Sequence, residues 1–404
     1  MKKSILFVIN SLGQGGAEKA LVELLNVLNP EQYDLYLFLM VNRGELYLQL
    51  PAYVRVLHSK RDPRSVLSPA GQLACIRTAA RASFRRLSLF RDLPYLCRNW
   101  RDLKRRKIPL NLTQLTWKVV SDGSRRLPQE FDLAVAYLEG AATYYVADHV
   151  RAKRKAAFVH VNFSKAGYTR GLNGTCYDRF DRVYTVSDNV KADFLGVHPE
   201  QEAKTRVFHN IINVPRILEK AEEPGFEDGY GGKRIVTLGR LTPEKGYELP
   251  IKALALLLKE GRDLRWYALG EGPERPKLEK LIAELGLEER FLLMGSKENP
   301  YPYLKAADIY VHATCYEGKS VSIEEAQVLR KPIVASDIPG NREQILSGKD
   351  GLLVELAPEK LAAAIASLLD SSETCRRFEQ ELARKEFAYE TDVRDFLNMM
   401  EEPV

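Results

Sequence analysis

Residues 5–30, ILFVINSLGQGGAEKALVELLNVLNP, decide how the rest of the chain is read. Ile5-Leu-Phe-Val-Ile9 is an unbroken apolar run, the pattern of a strand buried on both faces. Gly13-Gln-Gly-Gly16 reads as a turn. Ala17, Ala20, Leu21, Leu24, Leu25 and Leu28 then recur at helical spacing. Asn29-Pro30 ends the helix, because a residue that precedes proline is pushed out of the helical region. Strand, glycine turn and helix in this order open a parallel α/β sheet.

The same alternation continues. Leu35–Met40, Val54–Leu57, Leu133–Tyr137, Ala157–Val161 and Arg182–Val186 are strand candidates. Residues 221–233, AEEPGFEDGYGGK, are rich in Gly, Glu and Pro and lack periodicity, so they read as a linker or an exposed approach to a second domain. Arg234–Leu238, Leu264–Leu269, Phe291–Met294, Ile309–His312, Ile333–Ser336 and Leu352–Val354 then form a second strand set. Leu278, Leu281, Ile282 and Leu285 mark a helix capped by Gly286, and Leu361–Leu369 marks another. Two doubly wound domains in series are expected, with a ligand cleft between their facing strand ends. A length of 404 residues agrees with two cores.

No apolar run approaches the ~18 residues that span a bilayer. The apolar run after Met1-Lys-Lys-Ser is too short for a secretory signal and no small-residue cleavage site follows it. Five scattered cysteines (Cys75, Cys97, Cys176, Cys315, Cys375) show neither metal nor redox spacing, which predicts reduced thiols in a cytoplasmic protein. The net charge is +6. Eleven Lys/Arg against Asp92 and Asp102 lie between Arg77 and Lys107, so that segment carries +9 and the remainder −3. Leu73, Ile76, Ala80, Phe84 and Leu87 make an apolar stripe there, with Arg77, Arg81 and Arg85 beside it and Arg86 alongside; Pro94 is expected to break the helix. Such a segment suits an anionic membrane surface, the diphosphate of a lipid-linked acceptor, or simple docking on its own domain. No nucleic-acid module accompanies the charge, which argues against nucleic acid as a partner.

The chemistry concentrates in Glu317-Gly-Lys-Ser-Val-Ser-Ile-Glu-Glu325. Two carboxylates stand eight positions apart, with a helix expected from about Val321. The free amides of a helix start hold an anion, while the acids take hydroxyls on either side. A diphosphate flanked by two polyols, a nucleotide sugar, fits that arrangement. Arg240 and Lys245, in the loop of Gly239–Gly246 (GRLTPEKG), supply a planar fork and a point charge for the diphosphate; the plainer reading is a pair of solvated cations. Glu18 occupies the place of the third glycine of a dinucleotide fingerprint, so a nicotinamide site is not expected. No Asp-x-Asp and no His/Cys cluster occurs, so no metal or other cofactor is expected and cations and amides must stabilise the departing nucleotide.

These motifs, with Gly270–Pro273 (GEGP), Asp337–Glu343 (DIPGNRE) and Asp350–Val354 (DGLLV), resemble the family 4 retaining glycosyltransferases with the GT-B fold, of the kind that build bacterial cell-surface glycans. The resemblance runs along essentially the whole chain and is strongest from Arg234 to Val354. It implies an α/β GT-B protein of two Rossmann-like domains: residues 1–212 binding the acceptor and 213–384 the donor, with a C-terminal helix within 385–404 packing back on the first. It implies that Arg240 and Lys245 bind the donor diphosphate, that Glu325 holds the ribose hydroxyls, and that Glu317 orients the donor sugar. The backbone of Gly318, Lys319, Ser320, Val321 and Ser322 would line the sugar and phosphates. Gly15 and Gly16 would approach the reaction centre, Met294 and Gly295 would hold the base, and His160 would be the active-site histidine. Glu139, after a strand, is a second acceptor-side candidate; its plainer reading is a solvated loop residue, and that of His160 a core histidine. The catalytic set is then Glu317, His160, Lys245 and Arg240.

Lys319-Ser320 replaces the Phe-Pro common in the family, which leaves the donor sugar open. The activity implied is metal-independent, retaining transfer of a hexose or N-acetylhexosamine from a UDP-sugar to a lipid-linked or polymeric glycan. The enzyme would work in the cytoplasm or peripherally on the inner membrane face, with no oligomeric state specified. The alternatives are a nucleotide-sugar epimerase or hydrolase of the same fold, and a non-catalytic glycan-binding module.

Overall fold

The computed structural model describes residues 2–58, 61–66, 69–108 and 111–402. Two compact units emerge: residues 1–211 with 389–404, and residues 212–388.

The first unit holds a seven-stranded parallel sheet. Its strands are β1 (Lys3–Ile9), β2 (Tyr33–Leu39), β3 (Arg55–Val56), β4 (Glu130–Ala136), β5 (Arg151–Val159), β6 (Arg182–Thr185) and β7 (Thr205–Val207), in the order β3-β2-β1-β4-β5-β6-β7. Ile5, Phe7 and Ile9 join one core and Leu6 and Val8 the other, which is why the run is apolar without alternation. The helix Gly16–Val27 buries Ala20, Leu21, Val22, Leu24 and Leu25 on the first of these faces. On the same face the helix Glu390–Asn398 returns. Phe396 is fully buried, its ring centroid 6.4 Å from Phe7 and 6.0 Å from Phe158. Pro403 and Val404, at the end of the expected range 385–404, lie outside the described residues.

The basic region departs from expectation in detail. Helices Pro69–Phe84, Ser88–Arg91, Leu93–Arg105 and Leu112–Gly123 stand between β3 and β4. Pro94 does not break a helix; it sits in the first turn of one, where no amide hydrogen is needed. The break falls at Arg86 and Leu87, both in the left-handed region with φ of 58° and 55°. The helix Pro69–Phe84 packs through Ala79 and Ala82. The predicted stripe faces outward: Leu73, Ile76, Ala80, Phe84 and Leu87 are all exposed, as are Phe90 beyond it and Arg77, Arg81, Arg85 and Arg86. None of the described helices is long and apolar enough to cross a membrane.

The second unit holds a six-stranded parallel sheet of β8 (Lys233–Leu238), β9 (Leu264–Leu269), β10 (Phe291–Leu293), β11 (Ile309–His312), β12 (Ile333–Ser336) and β13 (Leu352–Val354), ordered β10-β9-β8-β11-β12-β13. Residues 221–233 are no free linker: they lie inside this unit. Asp228 accepts hydrogen bonds from Arg234 (2.8 Å) and from the Tyr267 hydroxyl, and Phe226 packs on Tyr267 at 4.4 Å between centroids. In each sheet the winding reverses once, between β1 and β4 and between β8 and β11. The carboxyl ends of those strand pairs are where an α/β sheet leaves a crevice.

Candidate functional site

At the reversal in the second sheet, the loops that follow β8 and β11 are sewn together. The Cys315 amide donates to the Glu244 carbonyl at 2.7 Å and the Thr314 hydroxyl to the same oxygen at 2.9 Å. Gly246 makes this approach possible. It lies in the left-handed region (φ +63°), and a Cβ there would stand 2.5 Å from the Ala313 carbonyl oxygen. Gly340 plays the same part on the other side: a Cβ would fall 2.4 Å from the Glu317 carbonyl oxygen. The glycines of the two motifs therefore let three loops converge on Glu317.

What converges is an ion pair. The Lys245 ammonium contacts Glu317 Oε2, and the His312 ring places Nε2 3.5 Å from the same oxygen. Burial opposes ionisation of Glu317, but Lys245 and His312 outweigh it and hold the carboxyl down at about 2. Burial lowers the His312 pKa, so that ring is neutral at neutral pH. Arg240 is half exposed at the rim, 3.6 Å from Glu244.

The helix Val321–Val328 starts after Ser320. Gln344 fixes that start, accepting from the Ser320 amide at 2.8 Å and donating to the Ser320 carbonyl at 2.9 Å. One turn on, Glu325 is buried and accepts a hydrogen bond from the Tyr301 hydroxyl at 3.1 Å. Lys319 is not poised as a free cation: it pairs with Glu324 at 2.9 Å, both side chains largely buried. Ser320 and Ser322 hydroxyls lie 3.0 Å apart. Met294 and Gly295 follow β10. The Met294 amide donates to the Ala268 carbonyl at 2.9 Å, and Gly295, with φ +71°, accepts from the Gly270 amide at 2.9 Å. Gly318, between Glu317 and Lys319, lies in the same converging loop.

The first unit gathers the other candidates at its own reversal point. Asn10, after β1, donates to the Glu139 carbonyl at 2.8 Å and accepts from the Ala142 amide at 3.1 Å, joining the loops after β1 and β4. Gly15 closes the loop after β1 and caps the helix whose first residue is Gly16. Glu139 is not a solvated loop residue; it is 2% exposed, and its Oε1 accepts from the His160 and Val161 amides. Burial pushes its carboxyl up to about 7 although those amides favour the charged form. Burial also drives the His160 ring down to about 3. The ring lies 5.0 Å from Tyr137, and its buried Nε2 has no hydrogen-bond partner among the described residues. His160 is thus neutral, and suited to a hydrogen bond rather than to carrying charge. The structure joins Lys245, Glu317, Ser320, Ser322 and Glu325 in one unit, and Glu139 and His160 in the other.

The sequence reading missed Tyr301, Tyr310, His312 and Gln344. His312 had one available signal, its position as the last residue of a strand at the reversal point; Gln344 adjoins the DIPGNRE motif. One His/Asp group among the described residues has metal-like spacing: Asp122, Asp148 and His149. Its oxygens are taken by Lys118 (3.1 and 3.3 Å), Arg91 (2.7 Å) and Arg179, which makes it a salt-bridge network.

Residues 222–385 match the family described as "Glycosyl transferases group 1". An alpha-D-kanosaminyltransferase of Streptomyces kanamyceticus is 33% identical over 179 residues, 44% of this chain and 46% of that protein. This chain thus spans under half the length of that relative. An N-acetylgalactosamine-N,N'-diacetylbacillosaminyl-diphospho-undecaprenol 4-alpha-N-acetylgalactosaminyltransferase of Campylobacter jejuni is 27% identical over 361 residues, 89% of this chain and 87% of that protein. The crystal structure of Anabaena Alr3699/HepE in complex with UDP superposes with a TM-score of 0.68 at 19% identity, covering 99% of this chain and 100% of that one. The fold is GT-B, and the relatives are glycosyltransferases.

Proposed function

We propose that this chain, of GT-B fold and with a group 1 glycosyl transferase match over residues 222–385, is a retaining, metal-independent transferase of family 4 type. It moves a hexose or N-acetylhexosamine from a UDP-sugar to a lipid-linked or polymeric glycan of the bacterial cell surface. The observation that carries the reading is the Lys245–Glu317 pair beside the start of the helix Val321–Val328, with Glu325 one turn further in. UDP as the nucleotide is supported by the UDP complex of the structural neighbour, and a diphospholipid acceptor by the name of the Campylobacter relative.

Lys245 and Arg240 neutralise the diphosphate, and the first amides of the helix complete its cradle. Glu325, steadied by Tyr301, takes the ribose hydroxyls. Glu317 takes hydroxyls of the donor sugar, the Gly318–Ser322 backbone lines it, and Met294 and Gly295 hold the base. The acceptor hydroxyl attacks the anomeric carbon on the face the diphosphate leaves. The carbon–oxygen bond to the diphosphate breaks, a phosphate oxygen accepts the hydroxyl proton, and the anomeric configuration is kept. Residues 1–212 bind the acceptor, with Gly15 and Gly16 in their glycine turn; the neutral His160 offers its ring to an acceptor hydroxyl, while Glu139 holds the backbone that carries that ring.

Peripheral attachment to an anionic inner membrane face is supported by the exposed stripe with Arg77, Arg81, Arg85 and Arg86. A groove on the helix Leu93–Arg105, lined by Pro94, Cys97, Arg98, Arg101, Asp102 and Arg105, adds three further arginines to the region.

Incubation with a panel of UDP-sugars and a diphospholipid-linked glycan tests the reading. A glycosylated acceptor with α configuration from an α-linked donor is expected. An altered free sugar, or an intact donor with every acceptor, overturns it.

A further inference from the structure

We propose that His312 and Tyr310 are positioning residues that tie Glu317 to Ser322 and hold the Glu317 carboxylate in place when Lys245 turns to the donor diphosphate. This rests on the reading above, in which Lys245 binds that diphosphate.

Tyr310 and His312 are alternate residues of β11, so their side chains share one face of the sheet, and both are buried. His312 Nε2 stands 3.5 Å from Glu317 Oε2. His312 Nδ1 stands 3.1 Å from the Tyr310 hydroxyl. That hydroxyl lies 2.9 Å from Ser322 Oγ, itself 3.0 Å from Ser320 Oγ. A line of polar groups therefore runs from Glu317, through the strand end, to the first turn of the helix Val321–Val328, its first step a close approach and the others hydrogen bonds.

The charge on Glu317 sets the direction of the protons. A neutral ring beside a carboxylate puts its N–H toward it, so Nε2 carries the hydrogen and Nδ1 is the acceptor. The Tyr310 hydroxyl then directs its only hydrogen toward Ser322 Oγ at 2.9 Å and Nδ1 at 3.1 Å, both of which can accept it. His312 Nε2 is buried and its one near acceptor is Glu317, so turning the ring over would lose both that approach and the contact of Nδ1 with Tyr310.

The chain matters because Lys245 has two tasks. In the structure it neutralises Glu317; in the reaction it faces the diphosphate. As it moves, the titratable groups left facing Glu317 are His312 and, at longer range, the hydroxyls of Tyr310 and Tyr316. His312 is the one within contact. The 3.5 Å separation is longer than a good hydrogen bond, so it can shorten as the lysine withdraws. A carboxylate held this way keeps its orientation toward the donor sugar through the step in which positive charge develops.

The test uses the full chain with His312→Leu, His312→Gln and Tyr310→Phe. The glutamine amide reaches roughly the position of Nε2–H, so it keeps the donor to Glu317. Kinetics of transfer are expected to show kcat about tenfold or more lower in His312→Leu, with the donor KM little changed. His312→Gln should recover most of the loss, and Tyr310→Phe should lower kcat by a smaller factor. Wild-type kcat in His312→Leu, or equal defects in the leucine and glutamine variants, overturns the proposal. A second readout needs no activity. The acid-side loss of stability due to Glu317, taken as the difference between Glu317 and Glu317→Gln proteins, should move to higher pH in the His312→Leu background. An unmoved step overturns the proposal as well. If wild type transfers no sugar at all, the functional reading fails and the stability readout alone decides on the polar chain.

Discussion

Lys245 and Glu317, 72 positions apart in the chain, meet as an ion pair at the point where the second sheet reverses its winding. Both side chains are mostly buried, so neither is a surface ion whose removal passes unnoticed. Under the proposed function Lys245→Ala strips the charge that neutralises the donor diphosphate, and it is expected to lower kcat/KM by about 10²–10³, the usual loss for one electrostatic stabiliser. It also leaves Glu317 without its main counter-charge. The double variant Lys245→Ala with Glu317→Gln should therefore be more stable than the sum of the single effects predicts, by roughly 1–3 kcal/mol. Urea denaturation of the four proteins measures this. Strict additivity would mean the pair is not coupled.

The same pair makes stability depend on acid. Glu317 ionises near 4.5 in an unfolded chain and is held down at about 2 in the folded one. Its contribution is complete above pH 4.5 and disappears as pH falls toward 2. By linkage it amounts to about 3 kcal/mol at most. Wild type and Glu317→Gln should differ at pH 6 and converge only as pH falls to about 2 in melts across that range. A gap that stays constant would show that the carboxyl is not depressed.

The fold was open to reading because both sheets are parallel and covered on two faces, which writes their central strands as continuous apolar runs such as residues 5–9 and 309–311. Where that reason fails, so did the reading. The strand β7 is only Thr205–Val207 and carries Arg206 in its middle. The first half of β5, Arg151–Lys155, is charged because it reaches acids from its neighbours: Lys153 pairs with Asp132 and Arg154 with Asp181, each at 2.8 Å. The left-handed Arg86 and Leu87 break a helix with residue types that give no warning of it. At the candidate site, Glu317, Glu325, Lys245 and Arg240 stood out because charge next to glycine turns is uncommon in a core. Tyr301, Tyr310 and His312 look like ordinary core residues until the fold shows whose atoms they touch.

Glu139 should reveal itself by the opposite pH dependence. Its carboxyl titrates near 4.5 unfolded and near 7 folded, so it binds a proton on folding between those values. The stability it contributes is full below 4.5 and is lost as pH rises through 7, again by about 3 kcal/mol at most. Glu139→Gln keeps an oxygen for the His160 and Val161 amides but cannot ionise. It should match wild type at pH 4 and exceed it at pH 8 in chemical denaturation. Parallel pH profiles would refute the raised pKa.

The outward stripe on the helix Pro69–Phe84 and the turn after it combines greasy and cationic groups, and the two should separate experimentally. Each arginine near an anionic bilayer contributes roughly 1 kcal/mol, and that share weakens with salt. Ile76 and Phe84 are about two-thirds exposed, and their insertion into the headgroup boundary is salt-insensitive. Flotation with phosphatidylglycerol-containing liposomes should therefore recover far more of the protein than flotation with neutral ones. Replacing Arg77, Arg81, Arg85 and Arg86 together by Gln should cost about 10³-fold in partitioning at low salt, from four such contributions. Ile76→Ser with Phe84→Ser should instead abolish the binding that survives high salt. Equal flotation on anionic and neutral vesicles would remove the membrane from the account and leave the stripe as a surface for another protein.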